Sequence, residues 1–146
     1  MRHLEEGEQL AVLQWASLTQ VMIDDGPRVR LAELIIAIPN GAHLAGDERQ
    51  RAMQMARLKR IGLKPGVADL LVTVARGASH GLWIEMKKPR GAFGRALAKL
   101  KAAVSAEQLA FGALQARVGY RHAICYGFEE ARAVILGYLG EVHGSR

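Results

Sequence analysis

Apolar residues recur at helical spacing through the first part of the chain, with Ala11, Val12, Trp15, Leu18 and Met22 on one stripe. The periodicity predicts a helix from about residue 5 to 24, ended by Gly26-Pro27. Leu34-Ile35-Ile36-Ala37-Ile38 is a continuous apolar run and predicts a short buried strand, stopped by Pro39-Asn40-Gly41. Asp47-x-x-Gln50 has the form of a capping box and opens a basic helix to about residue 61. Gly62, Pro65 and Gly66 then break the chain before an apolar strand over 69–74. A turn at 77–81 leads to a second strand over 82–87, its expected hairpin partner. A long connection over 89–104 is partly helical near 96–101, and a helix over 105–118, a strand over 122–126 and a helix over 129–139 complete the pattern. Strands interleaved with helices predict an α/β (α+β) sandwich around a small mixed β-sheet.

At 146 residues the chain is expected to form a single domain spanning 1–146. Hydrophobic residues make up 50% of it, which excludes disorder as an explanation of the polar stretches. No apolar run approaches the roughly 18 residues that cross a bilayer. The start, Met1-Arg2-His3-Leu4-Glu5-Glu6, is acidic where a secretory signal would be basic and then apolar. The expectation is a cytoplasmic protein without a membrane span. Cys125 is the single cysteine, so neither an internal disulfide nor a cysteine zinc cluster can form.

Charge is concentrated rather than spread. Between Met86 and Ala106 stand Lys87, Lys88, Arg90, Arg95, Lys99 and Lys101 with no acid among them, and this segment accounts for the net charge of +6. A basic strip of that kind suits a polyphosphate partner, because each neutralised phosphate releases a counterion. A solvated loop or helix face would carry the same charges.

The chemistry-bearing residues follow from strand alternation. In Leu82-Trp83-Ile84-Glu85-Met86-Lys87, period two puts Leu82, Ile84 and Met86 on one face and Trp83, Glu85 and Lys87 on the other. Asp69, at the entry to the preceding strand, joins Glu85 and Lys87 if the register agrees. Two carboxylates form a hard oxygen site suited to Mg²⁺ or Mn²⁺. Such an ion lowers the pKa of a bound water and offsets charge developing on a phosphodiester, while Lys87 orients the water or stabilises the same charge. Glu8 falls in the middle of the apolar stripe of the first helix, where a carboxylate is costly unless paired. A shared metal site would pair it; taken alone, Glu8 is better explained by a place at the exposed helix start, complementing the dipole. Ser105-Ala106-Glu107-Gln108 is a second capping box, and that structural role accounts for Gln108 by itself.

Other residues carry less. His3, His43, His80, His122 and His143 lack metal-ligand spacing. Cys125 reads as a small buried hydrophobe, and Trp83 as packing against the first helix. Arg49, Arg51, Arg57, Lys59, Arg60 and Lys64 could grip phosphates, though a solvated helix face explains several of them.

Together, Gly66-Val67-Ala68-Asp69-Leu70, Ile84-Glu85-Met86-Lys87, Ser105-x-Glu107-Gln108 and Gly119-Tyr120 resemble the VRR-NUC domain (virus-type replication-repair nuclease) of the restriction-endonuclease-like PD-(D/E)xK superfamily. The likeness extends through Glu8-Gln9, Gln14-Trp15 and Ile38-Pro39-Asn40-Gly41 to Glu129-Glu130-Ala131 and Tyr138-Leu139. It covers nearly the whole chain, as in the stand-alone form of phages and bacteria. The resemblance implies a divalent-metal phosphodiesterase with Asp69 and Glu85 as ligands of Mg²⁺ or Mn²⁺ and Lys87 as catalytic amine. It adds Glu8 as a further acidic ligand and Gln108 as a supporting member. It also implies a homodimer acting on branched DNA such as four-way (Holliday) junctions, with Asn40, Lys64, Lys88, Arg90, Arg95, Lys99 and Lys101 as candidate DNA contacts. Ala68 stands where the family usually has proline, Phe111 where it often has tryptophan, and the connection over 89–104 is longer than usual. Two readings stand beside it: a nuclease-fold DNA-binding module without activity, and an interaction protein whose basic segment meets an acidic partner.

Overall fold

The computed structural model describes residues 2–39 and 44–140. The first helix, α1 (Arg2–Ser17), stops well before the apolar periodicity does. The Ser17 and Thr19 hydroxyls turn back onto the Gln14 and Trp15 carbonyls at 2.6 and 2.8 Å. The chain then enters a hairpin of β1 (Gln20–Val21) and β2 (Val29–Arg30), turned where the Gly26 amide donates to the Asp24 carboxylate. Leu18, 87% exposed, and Met22 therefore leave the core stripe that the sequence pattern assigns to them. Strands of two residues are too short to register as an alternation, so the hairpin has no signature in the sequence.

A 3-10 turn (Leu31–Leu34) feeds β3 (Ile35–Ala37), the edge strand of a four-stranded sheet. Here the expectation of a buried strand needs correction: Ile35 is buried, but Ile36 and Ala37 are exposed. An edge strand covered on one face has no use for a fully apolar run. Asp47 caps α2 (Glu48–Arg60) through the expected capping box with Gln50. β4 (Leu70–Val72) and β5 (Leu82–Lys87) pair antiparallel, as the hairpin reading requires. The basic connection contains a 3-10 turn (Arg90–Phe93) and α3 (Leu97–Ala102). α4 (Ala106–Arg117), β6 (Arg121–Tyr126) and α5 (Phe128–Leu139) follow. The sheet order is β3-β4-β5-β6, with β6 parallel to β5, giving the mixed sheet flanked by helices that the pattern predicts.

The core lies on one side of this sheet. Val12 and Ala16 of α1 and Ala131, Ile135 and Tyr138 of α5 cluster with Leu70, Val72, Leu82, Ile84 and Met86. Each of these side chains removes enough apolar surface from water to contribute on the order of 1–3 kcal/mol. The opposite face of β5 meets α4. Trp83 packs edge-on against Phe111 at 5.2 Å and donates to Gln115 at 2.9 Å, so it belongs to α4 and not to the first helix. Close approach of α4 to β6 depends on Gly112, where a Cβ would lie 2.5 Å from His122 Nδ1. Cys125 is buried in β6 as expected, its thiol pushed up to about 12 by burial and then by the Glu130 charge.

Three distant segments are tied by one buried guanidinium. Arg76, 6% exposed, donates to the carbonyls of Met22 at 2.6 Å, Ala75 at 2.9 Å and Leu139 at 3.3 Å. Replacing Arg76 by Met leaves the Met22 and Leu139 acceptors without that donor while keeping the side chain's bulk. The expected loss is about 2–3 kcal/mol of stability, read as a lowered midpoint in urea unfolding.

Candidate active site

β4 and β5 bring the two acids together by register. Leu70 pairs with Ile84 in the antiparallel ladder, so one further step places Asp69 opposite Glu85. Opposed residues of an antiparallel pair point to the same face. Asp69 also replaces a ladder contact with its side chain: its Oδ2 accepts the Met86 amide at 2.7 Å. That bond fixes the carboxylate at the end of β4, just where β5 runs on paired with β6 only. The conditional step in the sequence argument, the register, is thereby met.

Glu85 and Lys87 are interior groups, 4% and 6% exposed. Lys87 Nζ lies 3.5 Å from Glu85 Oε1 and donates to Gln108 Oε1 at 3.1 Å. Gln108 Nε2 in turn donates to Glu85 Oε1 at 2.7 Å. The same glutamine closes the α4 capping box, accepting the Ser105 amide at 3.0 Å while its own amide donates to Ser105 Oγ. Capping and site contact are thus one arrangement: the helix start positions the amide that holds both the acid and the amine.

The second oxygen of Glu85 is different. Oε2 is buried and has no hydrogen-bond partner among the described residues. Burial first, and the Asp69 charge second, push the Glu85 carboxyl up to about 8, with Lys87 opposing. Asp69 is also raised, chiefly by burial and further by the Glu5 charge, against the Met86 hydrogen bond and Lys87. Two close carboxylates cannot both ionise cheaply in a poorly solvated place unless a cation joins them. An orphaned carboxylate oxygen beside a second acid fits a hard divalent ion, with Asp69 and Glu85 as the protein ligands. Among the described residues no group of three or more His, Cys, Asp or Glu side chains gathers for a metal. A Mg²⁺ ion that keeps several waters needs no more than two carboxylates.

Glu8 is engaged at the start of the last helix. Its Oε2 accepts the Phe128 amide at 2.8 Å, at the start of α5. The residue before that helix is Gly127, which has no side chain to cap it. Glu8 therefore supplies an acceptor for a terminal amide that would otherwise lack one. α1 packs on the Ile84 and Met86 face of the sheet, whereas Glu85 projects from the other face. Glu5, half-buried and one turn nearer the start of α1, is the acid whose charge reaches Asp69. Helical projection favoured Glu8 because it lay on the stripe's centre line; the offset of the helix along the sheet was not readable.

The basic strip divides. Arg90 forms a two-pronged pair with Glu130 at 2.6 and 3.1 Å and lies over the Tyr126 ring at 4.4 Å. Lys88 is buried, with Nζ 4.3 Å from the Phe93 ring centroid. Both thus help to seat the connection on β6. Arg95, Lys99 and Lys101 are exposed, as is Lys64 beside the Asp69 loop. Asn40, like His43 and His143, lies outside the described residues. His122 is half-buried and held below its usual range by burial, with Nε2 lacking a partner, and nothing in its surroundings forms a metal site. A concavity of about 470 Å³ between α4 and β6 is lined by residues such as Leu109, Tyr120 and His122 and contains none of the acids.

This geometry has a counterpart among solved structures. The chain is similar to a VRR_NUC domain protein at 26% identity, with 95% of this chain and 90% of that one covered and a TM-score of 0.70. This chain has the fold of a VRR-NUC domain. No family model matches its sequence, and no curated protein matches it either. The VRR-NUC assignment makes the fold restriction-endonuclease-like and the domain nuclease-type. Among the described residues no helix of the domain is long and apolar enough to cross a membrane.

Two measurements test the electrostatics. Because Glu85 rises from 4.5 to about 8 on folding, the folded protein keeps a proton that the unfolded chain loses. Stability in chelator should therefore fall as pH climbs from about 4.5 to about 8. Glu85→Gln should match the wild type near pH 5 and unfold at a higher temperature near pH 8; parallel melting profiles across that range would contradict the assignment. Separately, Glu8→Ala should cost about 1 kcal/mol as a lost cap, measured by urea unfolding, whereas Glu5→Ala should leave stability nearly unchanged.

Proposed function

We propose that this VRR-NUC domain is a divalent-metal-dependent endonuclease that hydrolyses DNA phosphodiester bonds, with branched DNA such as four-way junctions as substrate. The observation that carries the reading is the buried pair Asp69 and Glu85 with the unpartnered Glu85 Oε2, beside an interior lysine. Mg²⁺ or Mn²⁺ held by Asp69 and Glu85 would supply Lewis acidity and an activated water. Lys87, within reach of Glu85, stabilises the negative charge that develops on the scissile phosphate. Gln108 keeps Lys87 and Glu85 aligned from the start of α4. Glu5 adds negative potential near Asp69 and so strengthens cation binding.

Symmetric cutting of a junction needs two such sites, which a two-fold dimer supplies most simply. The homodimer and the junction preference are part of the proposal, supported by the resemblance set out for the sequence. The competing reading, a binding module without activity, leaves the buried acids without a physical reason: packed apolar side chains would cost less there.

The test is cleavage of labelled four-way, nicked and linear DNA with Mg²⁺, with Mn²⁺ and in chelator. Cleavage is expected only with metal. Asp69→Ala and Lys87→Ala should each lower the rate by at least about 10²-fold. Gln108→Ala should give a smaller loss, because it removes alignment and not the reacting groups. Undiminished cutting by Asp69→Ala would refute the site.

A further inference from the structure

Beside the carboxylates, a cleft of about 340 Å³ opens between the end of α2 and the start of α4. Its walls include Met55 and Lys59 from α2, Leu63 and Lys64 from the following loop, and Gln108 from α4. Gln108 is the residue that touches both Glu85 and Lys87, so the cleft and the acids share a wall. No carboxylate side chain lines the cleft, and Lys59 and Lys64 form no ion pair among the described residues.

The cleft is held in place by backbone contact. Gly66 has φ +82, and a Cβ there would lie 2.3 Å from the Glu107 carbonyl oxygen. The loop before Asp69 thus closes onto the first turn of α4, and a larger residue would force the two walls apart. α2 itself buries no residue and carries Arg49, Arg57, Lys59 and Arg60. A helix so poorly anchored by packing gains little from the core. On a helical projection Met55 and Lys59 fall on the side of α2 that faces the cleft, while Arg49, Arg57 and Arg60 gather on the outer side.

We infer that this cleft is the subsite for the nucleotide next to the scissile phosphate, with Lys59 and Lys64 holding its phosphate and Met55 and Leu63 meeting its sugar or base. The inference rests on the nuclease reading and extends it. Charge complementarity selects a DNA strand as occupant: two ammonium groups without an ion pair among the described residues stand with the apolar Met55 and Leu63, next to the proposed catalytic acids.

The experiment compares wild type with the double variant Lys59→Gln/Lys64→Gln, after thermal melting shows that both are folded. Binding to a fluorescent four-way junction is measured in chelator at several salt concentrations. The slope of log affinity against log salt should shrink by about 1–2, since each phosphate-neutralising lysine contributes roughly 0.7–0.9. In single-turnover cleavage with Mn²⁺, KM should rise about tenfold with kcat changed less than about threefold. Lys59→Arg/Lys64→Arg should restore both. A substrate lacking the nucleotide on the cleft side should bring wild type and double variant together. An unchanged slope and KM in the double variant overturns the subsite, as does loss of binding to an acidic peptide with DNA binding intact. If the wild type cuts nothing with either metal, the nuclease reading falls, while the binding arm in chelator still decides the cleft.

Discussion

A buried acid with one oxygen left over governs this molecule. Glu85 is 4% exposed, and its Oε1 is held by Gln108 and faced by Lys87, while its Oε2 has no hydrogen-bond partner among the described residues. Such a group is expensive in a folded protein unless function returns what stability loses. Its surroundings are arranged around that cost. β5 supplies the position, β4 ends so that Asp69 can stand opposite, and α4 begins where its capping glutamine meets the acid. Moving any of the three by one residue would turn a side chain to the wrong face or remove its partner.

The two faces of β5 divide the labour. Leu82, Ile84 and Met86 bind the sheet to α1 and α5 through a fully apolar core. Trp83, Glu85 and Lys87 face α4, where packing grades from aromatic at Trp83 to polar at Lys87 along one strand. The core can thus be well packed without constraining the acids, and the acids can be strained without loosening the core. The bare start of α5 after Gly127 gives Glu8 a partner.

Basic residues likewise fall into two kinds once the fold is known. Arg90 and Lys88 hold the long connection onto β6 by stacking on Tyr126 and Phe93 and by pairing with Glu130. They shape the molecule. Lys59 and Lys64, by contrast, edge a cleft that shares Gln108 with the acids. Cations from different stretches of the chain thus form, in three dimensions, a structural clasp and a separate polar opening.

Much was legible in the chain itself. Alternation over 82–87 assigned Glu85 and Lys87 to one face and Ile84 to the other, because strand geometry leaves no alternative once a strand is given. Both capping boxes were readable, since Asp47-x-x-Gln50 and Ser105-x-x-Gln108 depend only on neighbours within one turn. The motifs themselves pointed to the VRR-NUC fold. What local pattern could not contain was relative placement. The register that sets Asp69 against Glu85, the early end of α1 at Ser17, and the placement of Glu5 and Glu8 depend on how elements slide and pack. So does the split of the cations, because whether a lysine is free is decided by aromatic rings and acids distant in sequence. Side-chain identity and local spacing fixed which groups were available; only tertiary contact decided which of them meet, because a meeting is a property of two segments and neither one encodes it alone.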